Sequence, residues 1–243
     1  MIKYSMQQIR ESLPKEKNKG DSLWVQYVAR NISYPFTFLF INIGLSAWQV
    51  SVLSILVAFM ACFAFCINND VVRWVGVILI HFWMICDCVD GNIARVKKTT
   101  GPMGEFIDAQ SGYIISAFCY FGLGVAAFYT TRFSQYSTLL LTLGSIASIA
   151  NILSRLIHQK YTVAQINSNG GKNEVQIEEK DSSSFQSLRR RIGKEIGLSG
   201  MFMILVVLCQ IFKIYDYVTV FYFLFCMVSL LVVIARYSIK AKV

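Results

Sequence analysis

A chain of 243 residues that is 55% hydrophobic, 15% charged and of mean hydropathy +0.52 is not an ordinary water-soluble domain, because such domains carry about 25% charged residues. Its net charge of +9 calls for no nucleic-acid partner, since membrane orientation and contact with anionic lipid headgroups account for it. The seven cysteines (62, 66, 86, 88, 119, 209 and 226) all fall in apolar stretches and lack paired zinc-site spacing, which leaves them as small packing residues.

In chain order, the first twenty residues are polar and lysine-rich and show no signal-peptide pattern. At about 22–40 the aromatics Trp24, Tyr27, Tyr34 and Phe36, with Val28 and Ile32, fall on one side of a helix and Arg30 on the other. That pattern suits an amphipathic helix lying at the membrane interface; the alternative is a short, weakly apolar first span. A spanning helix needs roughly 20 mainly apolar residues. The pattern predicts six of them, at about 46–68, 71–91, 105–130, 135–158, 197–213 and 217–236. The expected fold is therefore an all-α integral membrane protein, a six-transmembrane-helix bundle with an N-terminal interfacial helix. It divides into a polar N-terminus and interfacial helix (1–45) and one membrane domain (46–243), with no second domain or internal repeat.

The connections carry the orientation. Of the 23 Lys and Arg, only Arg73, Arg132 and Lys213 lie in alternate loops; the others fall before or at Arg30, in 92–104, in 155–194 and from Arg236 on. That positive-inside bias predicts a multi-pass protein of the cell membrane with both termini cytoplasmic. The composition breaks at about 166–190, inside a cytoplasmic loop expected at about 160–195. Arg189, Arg190 and Arg191 close it, either as a lipid anchor or as a contact for an anionic substrate.

The chemistry sits where the second span meets the cytoplasm. Asp87, Asp90, Gly91, Ala94 and Arg95 are followed by Gly104 and Asp108. Ionisable groups at membrane depth are costly unless paired, metal-bound or facing water, so they mark a functional site. Helical spacing puts 87, 90 and 94 on one face, and 104, 108 and 112 on one face of the next helix. Antiparallel helices would bring these faces together as a three-carboxylate cluster at the cytoplasmic rim. The bland reading is that the acids pair with Arg95, Lys97 and Lys98 and cap the helices. Oxygen-only clusters suit two hard divalent ions such as Mg2+ or Mn2+. Gly91 leaves room for a phosphate or ribose beside the backbone, Ala94 keeps that face low, and Arg95 offers a fork to a phosphate oxygen. Thr99 and Thr100 add hydroxyls from the loop.

The string D-x2-D-G-x2-A-R-x8-G-x3-D over residues 87–108 resembles the signature of the CDP-alcohol phosphotransferases (CDP-alcohol phosphatidyltransferases). Upstream, Gly44-Leu45-Ser46-Ala47-Trp48-Gln49-Val50-Ser51 resembles a drifted form of that family's G-[IL]-T-P-N-x-x-T stretch. The resemblance implies a CDP-linked donor such as CDP-diacylglycerol, an alcohol acceptor, release of CMP, and chains paired as a homodimer. It implies Asp87, Asp90 and Asp108 as metal ligands, and Gly91, Ala94, Arg95 and Gly104 around the nucleotide; to these the reading of the residues adds Asp90 and the Thr100 hydroxyl as nucleotide contacts. It implies Arg155, in a region that holds acceptor phosphate in relatives. The family's signature ends in a fourth aspartate, its proposed general base, where this chain has Gly112.

Glu105, one turn before Asp108, is the nearby carboxylate that can share the catalytic task with Asp108. His158 is the right type for proton transfer, and His81 lies off the acidic face as a packed polar residue. Three functions follow from this. The first is a metal-dependent transferase of phospholipid or related biosynthesis. The second is a catalytically silent member that binds CDP-alcohol or metal as a partner subunit. The third is a transporter with an acidic vestibule.

Overall fold

The computed structural model describes residues 3–168 and 191–241, and among them there is no strand. Arg189 and Arg190 lie outside the described residues. Among the described residues six helical stretches, the fifth being Arg191–Phe212, are long and apolar enough to cross a membrane, as the pattern of apolar residues predicts.

The N-terminal elements are held by local caps. Helix α1 (Met6–Glu11) opens with a capping box in which Ser5 and Gln8 satisfy one another's backbone N–H. Helix α2 (Lys15–Gly20) follows. A π-helical turn, Val25–Ala29, then leads into α3 (Arg30–Asn42). Helix α3 stops at Gly44, whose φ of 97° lies in the left-handed region. There the Leu45 N–H donates to the Phe40 carbonyl (3.0 Å) and the Gly44 N–H to that of Ile41 (3.3 Å), a glycine-terminated Schellman turn. Two residues later Ser46 and Gln49 form a second capping box and start α4 (Ala47–Cys66). In the drifted stretch, then, Ser46 takes the capping role and the chain starts its first span without proline.

Helix α5 (Asp70–Val96) is capped by Asn69. It runs five residues past the expected end at 91 and carries Arg95 on the helix. It ends in another such turn, with the Thr99 N–H donating to the Ala94 carbonyl (2.8 Å) and Lys98 at φ 54°. Helix α6 (Pro102–Thr130) begins with a proline, which lacks only an N–H that the first turn cannot use. The link between α5 and α6 is thus 97–101, shorter than the dozen residues expected. Helix α7 (Ser137–Ser168) continues ten residues beyond the expected 158 and past the expected loop start near 160. Residues 197–200 form a turn before α8 (Met201–Phe212), and α9 (Tyr215–Lys240) closes the described chain.

The chain forms two compact units: Met1–Phe118 with Lys194–Lys213, and Cys119–Gly193 with Ile214–Val243. In the first, α3 and α4 pack on α5 around Ile9, Ile41, Val50, Cys86, Val89 and Ile93. The N-terminus is therefore more than a polar leader, because Ile9 of α1 is fully buried in this core. At the other end of α5, the Gln210 amide of α8 donates to Asp70 (3.0 Å) and Lys213 pairs with the same carboxylate. Arg30 is only 6% exposed. It sits on the packed face of α3, where the sequence pattern had suggested a polar side turned away from the apolar one. The Asp21 carboxylate pays for that burial by accepting from Arg30 Nε (3.0 Å) and Nη2 (2.8 Å). In the second unit α7 packs on α9. A Cβ on Gly144 would stand 2.6 Å from Gly124 Cα, so the two backbones touch in the manner of membrane helices that meet at small residues.

Candidate active site

All three aspartates lie in the first unit, on the C-terminal end of α5 and the first turns of α6. Asp87, Asp90 and Asp108 are within electrostatic reach of one another. Asp90 is buried and its Oδ2 accepts from Ser51 Oγ of α4 at 2.6 Å. Two carboxyl groups stay in contact only with a proton or a cation between them. Among the described residues no group of three or more His, Cys, Asp and Glu side chains is arranged to hold a metal ion. The donor chemistry nonetheless fits a hard cation, being all oxygen.

Arg95 is half-buried. Its Nη2 donates to Asn92 Oδ1 (2.6 Å), whereas its Nε is buried and has no hydrogen-bond partner. A buried guanidinium N–H without an acceptor is costly, which makes it a natural donor to an anion. The space left by the missing Cβ of Gly91 is filled by this arginine, with Nη1 3.2 Å from where a Cβ would stand. Gly91 therefore makes room for Arg95, where a ligand had been expected. Gly104 is the open position, since a Cβ there would meet nothing within 4 Å. Asp108, Glu105, Gly104 and Thr100 are exposed, Ala94 is half-buried, and the charge of Glu105 reaches Asp108. Arg30 also faces this end of α5. Burial works against its charge, but neighbouring acidic groups, Asp21 and Asp87 among them, more than offset that and leave its pKa above the ordinary value.

Several supporting residues escaped the sequence reading. Ser54 Oγ lies 2.8 Å from Ser111 Oγ, which also accepts from Trp83 Nε1 (2.6 Å). Lys97 Nζ donates to the Leu45 carbonyl (2.8 Å), tying the end of α5 to the start of α4. Asn92 is fully buried against Ser33 and Thr37 of α3. Of these residues Lys97 and Leu45 had entered the sequence reading, Lys97 as a possible partner of the acids and Leu45 in the drifted stretch, and the others gave no signal. His81 bonds the Val77 carbonyl and packs edge-on against Trp24, as expected of a packed polar residue. Arg155 and His158 belong to the second unit. There the charge of Arg155 reaches buried Tyr120, and His158 bonds the Tyr237 hydroxyl.

Comparison with known proteins gives one family match. The CDP-alcohol phosphatidyltransferase model aligns with residues 45–179, more than half of the 243 residues. No curated protein matches the chain.

Proposed function

This chain belongs to the CDP-alcohol phosphatidyltransferase family, and on that premise we propose that its first unit is the catalytic end of a multi-pass membrane transferase. A phosphatidyl or other phospho-alcohol group moves from a CDP-linked donor to an alcohol. The acceptor oxygen forms a bond to the phosphorus next to the donor's alcohol, the bond from that phosphorus to CMP breaks, and the acceptor proton passes to a base or to water. The charge bias supports a cytoplasmic side for both termini and this site. The observation that carries the reading is that Asp87, Asp90 and Asp108 lie within electrostatic reach of one another, with the unpartnered Nε of Arg95 on the same helix end as Asp87 and Asp90.

Asp87, Asp90 and Asp108 would hold two divalent cations, Mg2+ or Mn2+. When bound, such ions neutralise the carboxylates and polarise the pyrophosphate. Ser51 fixes Asp90. Arg95 offers Nε to a phosphate oxygen, a charge-assisted bond that a lysine could not match in geometry. Gly104 leaves the approach over α6 open, and Arg155 is assigned to the acceptor. A second reading, a silent member that binds CDP-alcohol without turning it over, is favoured by Gly112, which has no side chain to act as base. The test is CMP release from CDP-diacylglycerol by the purified chain, with Mg2+ or Mn2+ and a panel of alcohols. Acceptor-dependent release that falls at least about 100-fold in Asp108→Asn supports the transferase. CDP binding without release in any combination supports the silent reading.

A further inference from the structure

Helix α3 turns a polar stripe inward. Arg30, Ser33 and Thr37, spaced to share one face, are 6%, 0% and 0% exposed. A purely interfacial helix has no need to bury hydroxyls there. The direction of the hydrogen bonds shows what they do. Ser33 Oγ donates to the Arg30 carbonyl (2.8 Å) and Thr37 Oγ1 to the Ser33 carbonyl (2.8 Å). With their protons spent on the helix backbone, both hydroxyls can only accept. Asn92 Nδ2 supplies the donors, at 3.2 Å to Ser33 and 3.0 Å to Thr37. Both amide N–H bonds are thereby used, so Oδ1 must face the other way, toward Arg95 Nη2 at 2.6 Å. Reversing the amide would set its NH2 against a guanidinium that has no acceptor.

We propose that Ser33 and Thr37 of the interfacial helix act through Asn92 as positioning residues for Arg95, holding its guanidinium so that Nε is presented to the phosphate of the CDP-linked donor. The inference rests on the role given to Arg95 above. Asn92 occupies a spacer position of the motif, and its neighbours on α3 lie 55 and 59 residues away in sequence. The relay therefore makes the pose of Arg95 depend on how α3 is seated. The preceding π turn ends at Ala29, directly before Arg30, and such turns recur near functional sites.

The experiment is a double-mutant cycle on the full chain in detergent, read as CDP binding in Mg2+. The combined Ser33→Ala and Thr37→Val change leaves the Asn92 amide without acceptors. It is expected to weaken CDP binding about tenfold, a usual size for coupled polar neighbours. In an Arg95→Ala background the same change is expected to have no further effect, and Thr37→Ser, which returns the hydroxyl, recovers most of the loss. If the combined variant does not fold, Thr37→Val alone is put through the same cycle, with melting temperature as the check on folding. An equal loss with and without Arg95 would overturn the relay while leaving the transferase reading intact. A parent chain that binds no CDP would overturn both.

Discussion

In the proposed transferase, Gly112 is the residue on which turnover hinges. It lies one turn beyond Asp108 on α6, on the face where an added carboxylate would reach the same cluster. A general base is worth about 10²–10⁴-fold. Gly112→Asp is therefore expected to raise the rate of CMP release by about 100-fold or more at saturating acceptor. A parental rate left unchanged by that substitution would mean that proton removal does not limit turnover. Glu105→Gln measured alongside assigns the residual base. A loss of about tenfold or more identifies Glu105, and no loss moves the proton elsewhere. The aspartate string could be read from spacing because carboxylates are rare in apolar sequence. Ser51 and Asn92 could not, since a serine in a span or an amide at a spacer position looks the same whether it packs or holds a functional group.

At the scale of elements, apolar periodicity located the six spans but misjudged where the helices stop. Hydropathy ends the second span at 91, yet the backbone ladder continues through Asn92–Val96, because helical hydrogen bonding does not require apolar side chains. The same holds for α7, which runs on to Ser168. Those extra turns matter at α5, since they place Arg95 on the helix where Asn92 can reach it. The contact between α6 and α7 in the second unit was also invisible, because a glycine inside a span signals nothing until its neighbour is known. A Cβ on Gly144 would meet the Gly124 Cα at 2.6 Å and the Tyr120 carbonyl oxygen at 2.8 Å. These are backbone atoms that cannot rotate aside. Gly144→Leu is expected to cost about 1–3 kcal/mol and to lower the melting temperature in detergent. An unchanged melting temperature would mean that the two helices part without penalty.

For the whole molecule, composition alone gave the class and charge distribution gave the proposed orientation. The all-helical membrane architecture follows because lipid leaves backbone groups no partner outside the helix. Burial of apolar side chains gives such helices little reason to associate, and the first unit shows what substitutes for it. Its helices are joined by Asp90 to Ser51, Trp83 to Ser111, Asn92 to α3, and Gln210 to Asp70. The first of these bonds ends at Asp90, and Asn92 also holds Arg95, so polar groups that join the helices also shape the site. The most direct measurement is CMP release from CDP-diacylglycerol by metal-stripped protein as Mg2+ is returned, in the parent chain and in Asp87→Asn. The expected result is acceptor-dependent release that is absent in EDTA, saturates with Mg2+ and is lost in Asp87→Asn. Release that persists in EDTA or survives Asp87→Asn would contradict a metal-dependent transferase built on these three aspartates.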